Sequence, residues 1–334
     1  LKIGHRTSHR NQRRHLHILN TAQWRVYKMS VIHSVTLGRR AVLQFLGVSA
    51  AVMAINNPRR ALSDTPMKQK MCSDGHLTLT TGFVFPDAPS EALAAAFKTP
   101  DPATPLLLPC TVPLLRHNDR LVLFDAGAGP AFMESAGRLV ASLKSAGVEA
   151  DQITDIVFTH CHPDHLWGVT DEFNELTFPN ARYHLARKEY DFWTGKDTLQ
   201  SAPENLKTFV AGAQTRLPRI AERAKFFENG AQPLAGIEAI ESPGHTPGHC
   251  SYMLHIAGDP VLLTGDVFSH PLTVRHPDWR WGTDQDSAVA TKTRRRMIDR
   301  IAADRTRVAV YHMPPPGFGR IEAGSNGPSW VQET

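Results

Sequence analysis

Seven consecutive residues constrain this chain more than any other stretch: Thr159-His160-Cys161-His162-Pro163-Asp164-His165. They crowd three imidazoles and a carboxylate behind residues 153–158, an apolar run that reads as a buried strand. Imidazole nitrogen and carboxylate oxygen are the donors that zinc and similar divalent ions prefer. In an extended segment His160 and His162, two apart, point to one side. Pro163 then turns the chain, so that Asp164 and His165 face a neighbouring position. The spacing suggests two ions. On this stretch alone, a polar loop with solvated histidines remains the competing reading.

Three more candidate ligands stand where apolar runs stop. His245 follows the strand-like residues 236–240, Asp266 ends the run 261–266, and His312 ends 308–312. The ends of strands are where α/β folds place their chemistry. A carboxylate with two oxygens, Asp266, can bridge two ions, and His245 and His312 can each complete one side. That recurrence makes a chance polar loop a poor account of the chain.

The pattern His160-x-His162-x-Asp164-His165, followed by His245, Asp266 and His312, resembles the metallo-β-lactamase superfamily in its dinuclear form. The similarity runs from about Gly75 to Ile321. It takes in Phe124-Asp125-Ala126-Gly127-Ala128-Gly129, Gly137-Arg138-Leu139, Phe178-Pro179-Asn180-Ala181, Asp191-Phe192-Trp193 and Pro247-Gly248-His249. Within the superfamily the chain is most similar to the methyl parathion hydrolase-like branch. The resemblance implies an αββα sandwich of two mixed sheets flanked by helices. It also implies two divalent ions, zinc first among them: His160, His162 and His245 would hold one, Asp164, His165 and His312 the other, with Asp266 between. Asp125 and His249 would stand just outside the ligands, Asp125 steadying a histidine. Phe132, Trp193 and Phe209 correspond to an aromatic substrate wall.

Two ions sharing a hydroxide would supply an oxygen nucleophile at neutral pH without a serine or cysteine. The expected activity is hydrolysis of small esters, lactones or phosphotriesters, with Asp164 and Asp266 as the catalytic carboxylates. Acyl-homoserine lactonase is the alternative enzyme, and a non-catalytic binding module on the same fold the alternative class. Retention of all seven ligands speaks against the latter. Quorum-signal lactonases often carry a tyrosine three residues beyond the bridging aspartate; here that residue is Ser269. Glyoxalase II carries a C-terminal extension, whereas 22 residues follow His312 in this chain of 334.

Charge is divided unevenly. Residues 1–63 hold eleven Lys and Arg and no acid, while 64–334 hold 26 bases against 32 acids, so the net +5 belongs to the leader. A nucleic-acid partner is therefore not expected. Arg39-Arg40 precede an apolar run of 15 residues, 41–55. That run is short of the roughly 20 a membrane span needs and resembles a twin-arginine export signal. Residues 1–63 are thus expected to be a basic extension with a signal peptide, and 64–334 the catalytic domain. Export by the twin-arginine machinery implies a periplasmic or secreted protein with no stable membrane span in its mature form. The partner would be a small-molecule substrate, and a homodimer is compatible. Residues 1–28 precede the first methionine, Met29, and read either as untranslated upstream sequence or as a disordered extension with little to bury. Cys161 reads as a bystander between ligands. A Cys72–Cys110 disulfide would suit an exported protein, although nothing in the spacing argues for it.

Along the chain, strands are expected at 76–85, 111–115, 120–124, 153–158, 182–185, 236–240, 251–256, 261–266 and 308–312. Helices are expected at 90–97, 137–146, 186–193 and 291–303. Residues 194–232 read as helical with Phe209, Val210, Phe226 and Phe227 packing inward, and 267–290 as a long loop. His184, His255, His270 and His276 read as surface or turn histidines.

Overall fold

A computed structural model describes residues 69–334, apart from 118, 229, 256–259 and 326. The expected signal peptide and extension, 1–63, lie outside the described residues. Among the described residues no helix is long and apolar enough to cross a membrane.

The first half builds one six-stranded sheet. Strand β1 (Lys70–Thr80) leads through α1 (Thr81–Val84) and α2 (Ser90–Phe97) to β2 (Pro105–His117) and β3 (Arg120–Phe124). Helix α3 (Leu139–Ser145) precedes β4 (Asp155–Val157), and α4 (Pro163–Leu166) precedes β5 (Arg182–Ala186). Helices α5 (Arg187–Thr194), α6 (Thr198–Ser201) and α7 (Lys207–Ile220) then lead to β6 (Ala224–Phe227). The strands lie in chain order; β1, β2 and β3 pair antiparallel and β3 to β6 parallel. The second half makes the other sheet from β7 (Ile237–Glu241), β8 (Cys250–Leu254), β9 (Val261–Leu263), β10 (Arg307–Ala309), β11 (Phe318–Gly324) and β12 (Gly327–Gln332). Helices α8 (Pro271–Arg275) and α9 (Ser287–Asp304) fall between β9 and β10, which pair in parallel.

Period-two alternation sorts these strands into layers. On β3, Val122 and Phe124 face the second sheet while Leu121 and Leu123 face the helices of the first half. On β9, Val261 and Leu263 face inward and Leu262 meets Met297, Ile298 and Ile301 of α9. The result is helix, sheet, sheet, helix, with an apolar layer at each of three junctions. A fully buried Leu or Phe in such a layer contributes about 1.5–3 kcal/mol. Polar ties join the layers as well: Thr111 Oγ1 donates to Tyr311 O at 2.6 Å, and Cys250 N to Thr159 O at 2.9 Å, crossing from one sheet to the other.

Several expectations are corrected. The first strand ends at Thr80, whose hydroxyl accepts from Phe83 N and caps a turn of helix where extended chain was expected. Phe226 and Phe227 lie on edge strand β6, not on a helix. Four residues are too few for periodicity to separate strand from helix. The tail beyond His312 forms the β11–β12 hairpin and completes the second sheet. His184 is buried on β5, with Nε2 2.9 Å from Asp155 Oδ1; Arg120 meets the same carboxylate. All four cysteines are buried and free, so Cys72 and Cys110 form no disulfide.

Candidate metal centre

The ligand loop is set by two neighbouring strand ends. Parallel pairing of β3 and β4 brings Asp125 and residues 158–165 to one rim. Asp125 takes a left-handed conformation, φ 71°, which aspartate tolerates better than most residues. Its fully buried carboxylate accepts from Thr159 N at 2.7 Å and from Thr159 Oγ1 at 2.8 Å. It also meets His165 Nδ1 at 2.8 Å, turning His165 Nε2 outward. Thr159 Oγ1, having spent its proton on Asp125, can accept from His160 Nδ1 at 3.0 Å, which frees His160 Nε2. His162 is the N-cap of α4 and Pro163 its first residue, a position where a missing N–H costs nothing. Asp164 and His165 follow in that single turn.

The other three arrive from separate strand ends of the second sheet. His312 follows β10, and its Nδ1 is fixed by Pro109 O at 2.8 Å, leaving Nε2 free. His245 follows β7; its Nδ1 lies 3.1 Å from Asp284 Oδ1. The other Asp284 oxygen accepts from the buried Arg294 at 2.8 Å. Asp266 follows β9, with its N–H donated to His249 Nε2 at 3.0 Å. His249 Nδ1 continues to Ser242 Oγ (2.8 Å), then to Ser251 Oγ (2.8 Å), whose hydroxyl donates to Thr264 O. That chain fixes the tautomer: Nδ1 carries the proton and Nε2 is occupied as an acceptor. Burial pushes the His249 pKa down to about 3, so the ring stays neutral.

The liberated atoms converge. His162 Nδ1 and His245 Nε2 are 2.8 Å apart, and His160, His162 and His245 form one cluster able to hold an ion. Asp266 lies between two groups, with Oδ1 3.4 Å from His165 Nε2 and Oδ2 3.4 Å from His245 Nε2. The same Oδ2 is 3.2 Å from His312 Nε2, which is also 3.2 Å from Asp164 Oδ2. Five atoms here are buried with no hydrogen-bond partner: His160 Nε2, His162 Nε2, His165 Nε2, Asp164 Oδ2 and Asp266 Oδ1. Orphaned buried polar atoms are costly, about 1–3 kcal/mol each, unless something else satisfies them. Cations at this place would, and the donor set suits zinc.

The electrostatics of the two sides differ. Burial and then the neighbouring imidazoles press the His160 and His162 pKa values well below normal, leaving neutral rings with lone pairs to give. Burial would lower His165 and His312 as well, but Asp164 and Asp266 beside them prevail and raise both well above normal. Those imidazoles in turn hold the two carboxylates well below their usual range against the opposing effect of burial. This side attracts positive charge, and protons compete with metal ions for it.

A cavity of about 200 Å³ opens onto His162, Asp164, Asp266 and His312. Its walls include Phe83, Leu108, Phe132, Met133, Phe209 and Trp281; Asn205 and Thr283 are polar, and no Lys or Arg among the described residues lines it. A larger cleft of about 640 Å³, near Asp74, Gly137 and Asp171, touches none of the seven residues. Phe132 and Phe209 line this cavity, their rings 6.1 Å apart, with Phe209 5.5 Å from His162. Trp193 does not. It is fully buried beneath the loop, 5.6 Å from His162 on a side the cavity does not reach, and its indole N–H is given to Glu189. Sequence reading missed Trp281 and Asp284, both inside the supposed long loop 267–290, and Glu189 in α5. It also missed Cys110, whose thiol lies close to Asp164 and His312 with its pKa raised to about 11, chiefly by burial. A tryptophan next to Gly282 was the one available signal in that loop.

Known proteins resemble this chain in sequence and in fold. The chain is 29% identical over 194 residues to a probable metallo-hydrolase of Mycobacterium tuberculosis, covering 49% of this chain and 58% of that one. It is 30% identical over 136 residues to an N-acyl homoserine lactonase of a Bacillus species, covering 40% and 46%. The chain thus spans about half the length of these curated relatives. Among solved structures, the dizinc quorum-quenching lactonase AidC superposes with a TM-score of 0.73 at 28% identity, covering 80% of this chain and 97% of AidC. The hydrolase AbOPH does so equally well, TM-score 0.73, at 24% identity over 80% and 94%, a likeness of fold. The family model for the metallo-β-lactamase superfamily matches residues 106–312, from β2 to the last candidate ligand, and the chain belongs to that superfamily.

Proposed function

We propose that the chain is a dinuclear metal-dependent hydrolase of small neutral esters and lactones with an apolar acyl or aryl portion. The observation that carries this is the position of Asp266, one oxygen toward His165 and the other toward His245 and His312, at the floor of a cavity whose remaining walls are mostly apolar. His160, His162 and His245 would hold one ion and Asp164, His165 and His312 the other, with Asp266 shared. Two divalent ions there, zinc the best match to the donors, would lower the pKa of water and polarise the electrophile's oxygen.

The chain's own residues do the remainder. Phe132, Phe209 and Trp281 seat the apolar portion and exclude water from it. Apart from the candidate ligands, the described lining is apolar or uncharged, which favours a neutral substrate with an apolar portion. Asp164, which lines the cavity, can relay a proton from the attacking water to the leaving alkoxide through the oxygen that does not hold the ion. Asp125, Asp284 and the carbonyl of Pro109 hold three of the imidazoles so that no reorganisation is needed during the reaction.

Lactone opening is the favoured member of this class, supported by the likeness to AidC along most of both chains. Phosphotriester hydrolysis, as in the methyl parathion hydrolase-like branch, is the second reading, supported by the aromatic pair Phe132–Phe209 in the wall. Metal analysis of purified protein together with turnover on acyl lactones, aryl esters and aryl phosphotriesters tests both. The expected result is two ions per chain and highest kcat/KM on an apolar lactone. Two ions with preference for the triester would select the second reading, and no turnover of any of them would overturn both.

A further inference from the structure

We propose that Glu189 is a positioning residue that holds the His160–His162 loop against the His245 loop and thereby sets the affinity of the ion those three histidines share. This rests on the dinuclear reading above. Glu189 lies in the first turn of α5 and is 1% exposed. One of its oxygens accepts from Cys161 N at 2.9 Å and Trp193 Nε1 at 2.7 Å. The other accepts from Thr246 Oγ1 at 2.8 Å and Gly248 N at 2.9 Å. Cys161 sits between the two histidines of the first loop, and Thr246 directly follows His245. One carboxylate therefore spans both loops. The contact is close on the backbone side too: a Cβ at Gly248 would fall 2.2 Å from Glu189 N.

The need for a carboxylate follows from the partners. All four are donors, two at each oxygen. An ionised carboxylate accepts at both ends, whereas an amide has one accepting end and must turn its NH2 toward two other donors. There is also something to hold. The His160 and His162 rings have centroids 4.8 and 4.5 Å from that of His245, and His162 Nδ1 lies 2.8 Å from His245 Nε2. A shift of either loop would change that spacing, and the Glu189 carboxylate ties both loops together.

Glu189→Gln keeps the volume and removes the double acceptor. Zinc affinity is read by competition with a chromophoric chelator, alongside metal-free thermal unfolding and amide hydrogen exchange at Cys161 and Gly248. One of the two ions should bind about 10- to 100-fold more weakly, the other within about twofold of wild type, with both amides exchanging faster in the metal-free protein. Thr246→Val, which deletes a single donor, should shift the same ion in the same direction by less. It decides the matter if Glu189→Gln does not fold. A residue that only supports packing would lower the metal-free melting temperature and leave both affinities per folded chain unchanged, and that result overturns the proposal. So does unaltered exchange at both amides, whatever the metal content. Wild-type protein binding fewer than two ions would instead sink the dinuclear reading, with the exchange result still judging the clamp.

Discussion

The two halves of the molecule deliver their candidate ligands in opposite ways. The first sheet supplies His160, His162, Asp164 and His165 from one loop and one helical turn. The second supplies His245, Asp266 and His312 from the ends of β7, β9 and β10, brought together by sheet pairing alone. In the first half, position is local: Asp125, at the next strand end, holds Thr159 and His165 through one carboxylate. In the second, each residue has its own remote support, namely Asp284 with Arg294 for His245, His249 for Asp266, and Pro109 O for His312. A local arrangement tolerates damage elsewhere; a distributed one is only as good as its longest tie.

The strongest test of that contrast is Asp266→Asn. It keeps the shape but removes the negative charge lying between the two groups, so repulsion between two dications goes less compensated. Protein holding about one ion or fewer is expected, with hydrolysis lower on the order of a hundredfold or more; His249→Ala, which removes a support of Asp266 but no candidate ligand, should still bind two ions, more weakly than wild type. Metal content and turnover check this, and two ions at wild-type affinity would end the shared-carboxylate reading.

Next in size, Asp284→Asn leaves Arg294, 1% exposed, buried beside a neutral amide. Breaking a buried ion pair costs about 3–5 kcal/mol, and His245 loses its orienting acceptor. Denaturant unfolding should therefore show a large loss of stability together with weaker metal binding. Asp125→Asn is the matching change in the first half. Asparagine also tolerates the positive φ, so the charge is isolated from the backbone. Here the expected stability loss is smaller, about 1–3 kcal/mol, and the loss of metal affinity about 10- to 100-fold. If Asp125→Asn unfolds the protein more readily than Asp284→Asn, the contrast between local and distributed support is wrong.

The smallest expected effect concerns the wall that the first half adds to the cavity. Phe209→Ala should raise KM for substrates with an apolar acyl group by roughly tenfold, in line with the burial energy of a ring, and change kcat little. Trp193→Phe, at a similar distance from His162 but outside the cavity, should leave KM unchanged. Steady-state kinetics of both variants on one lactone separate wall from core.

Much of this was legible without coordinates. The ligand loop could be read because its residues are contiguous and its donors chemically specific. His245, Asp266 and His312 could be read because each ends an apolar run, and residues 90–97 because Ser90–Phe97 carries a helical pattern the structure keeps unchanged. Local signals failed where partners are distant in sequence. Strand β6 is four residues long and defined by pairing with β5, so no internal period marks it. Trp193 and Phe209 have similar aromatic character, and only packing turns one toward the cavity and the other beneath the loop. Glu189 and Asp284 look like ordinary acids in a helix and a loop.

The sequence by itself determined the donor chemistry, the count of candidate ligands and the alternation that lays two sheets against each other, since these depend on residue type and short-range period. Only the tertiary structure decided which nitrogen of each histidine is free, which carboxylates hold them, and what shape of apolar space adjoins them. Those are properties of groups brought together from separate elements, 40 residues apart for Asp125 and His165 and 203 for Pro109 and His312, and no local pattern encodes the meeting.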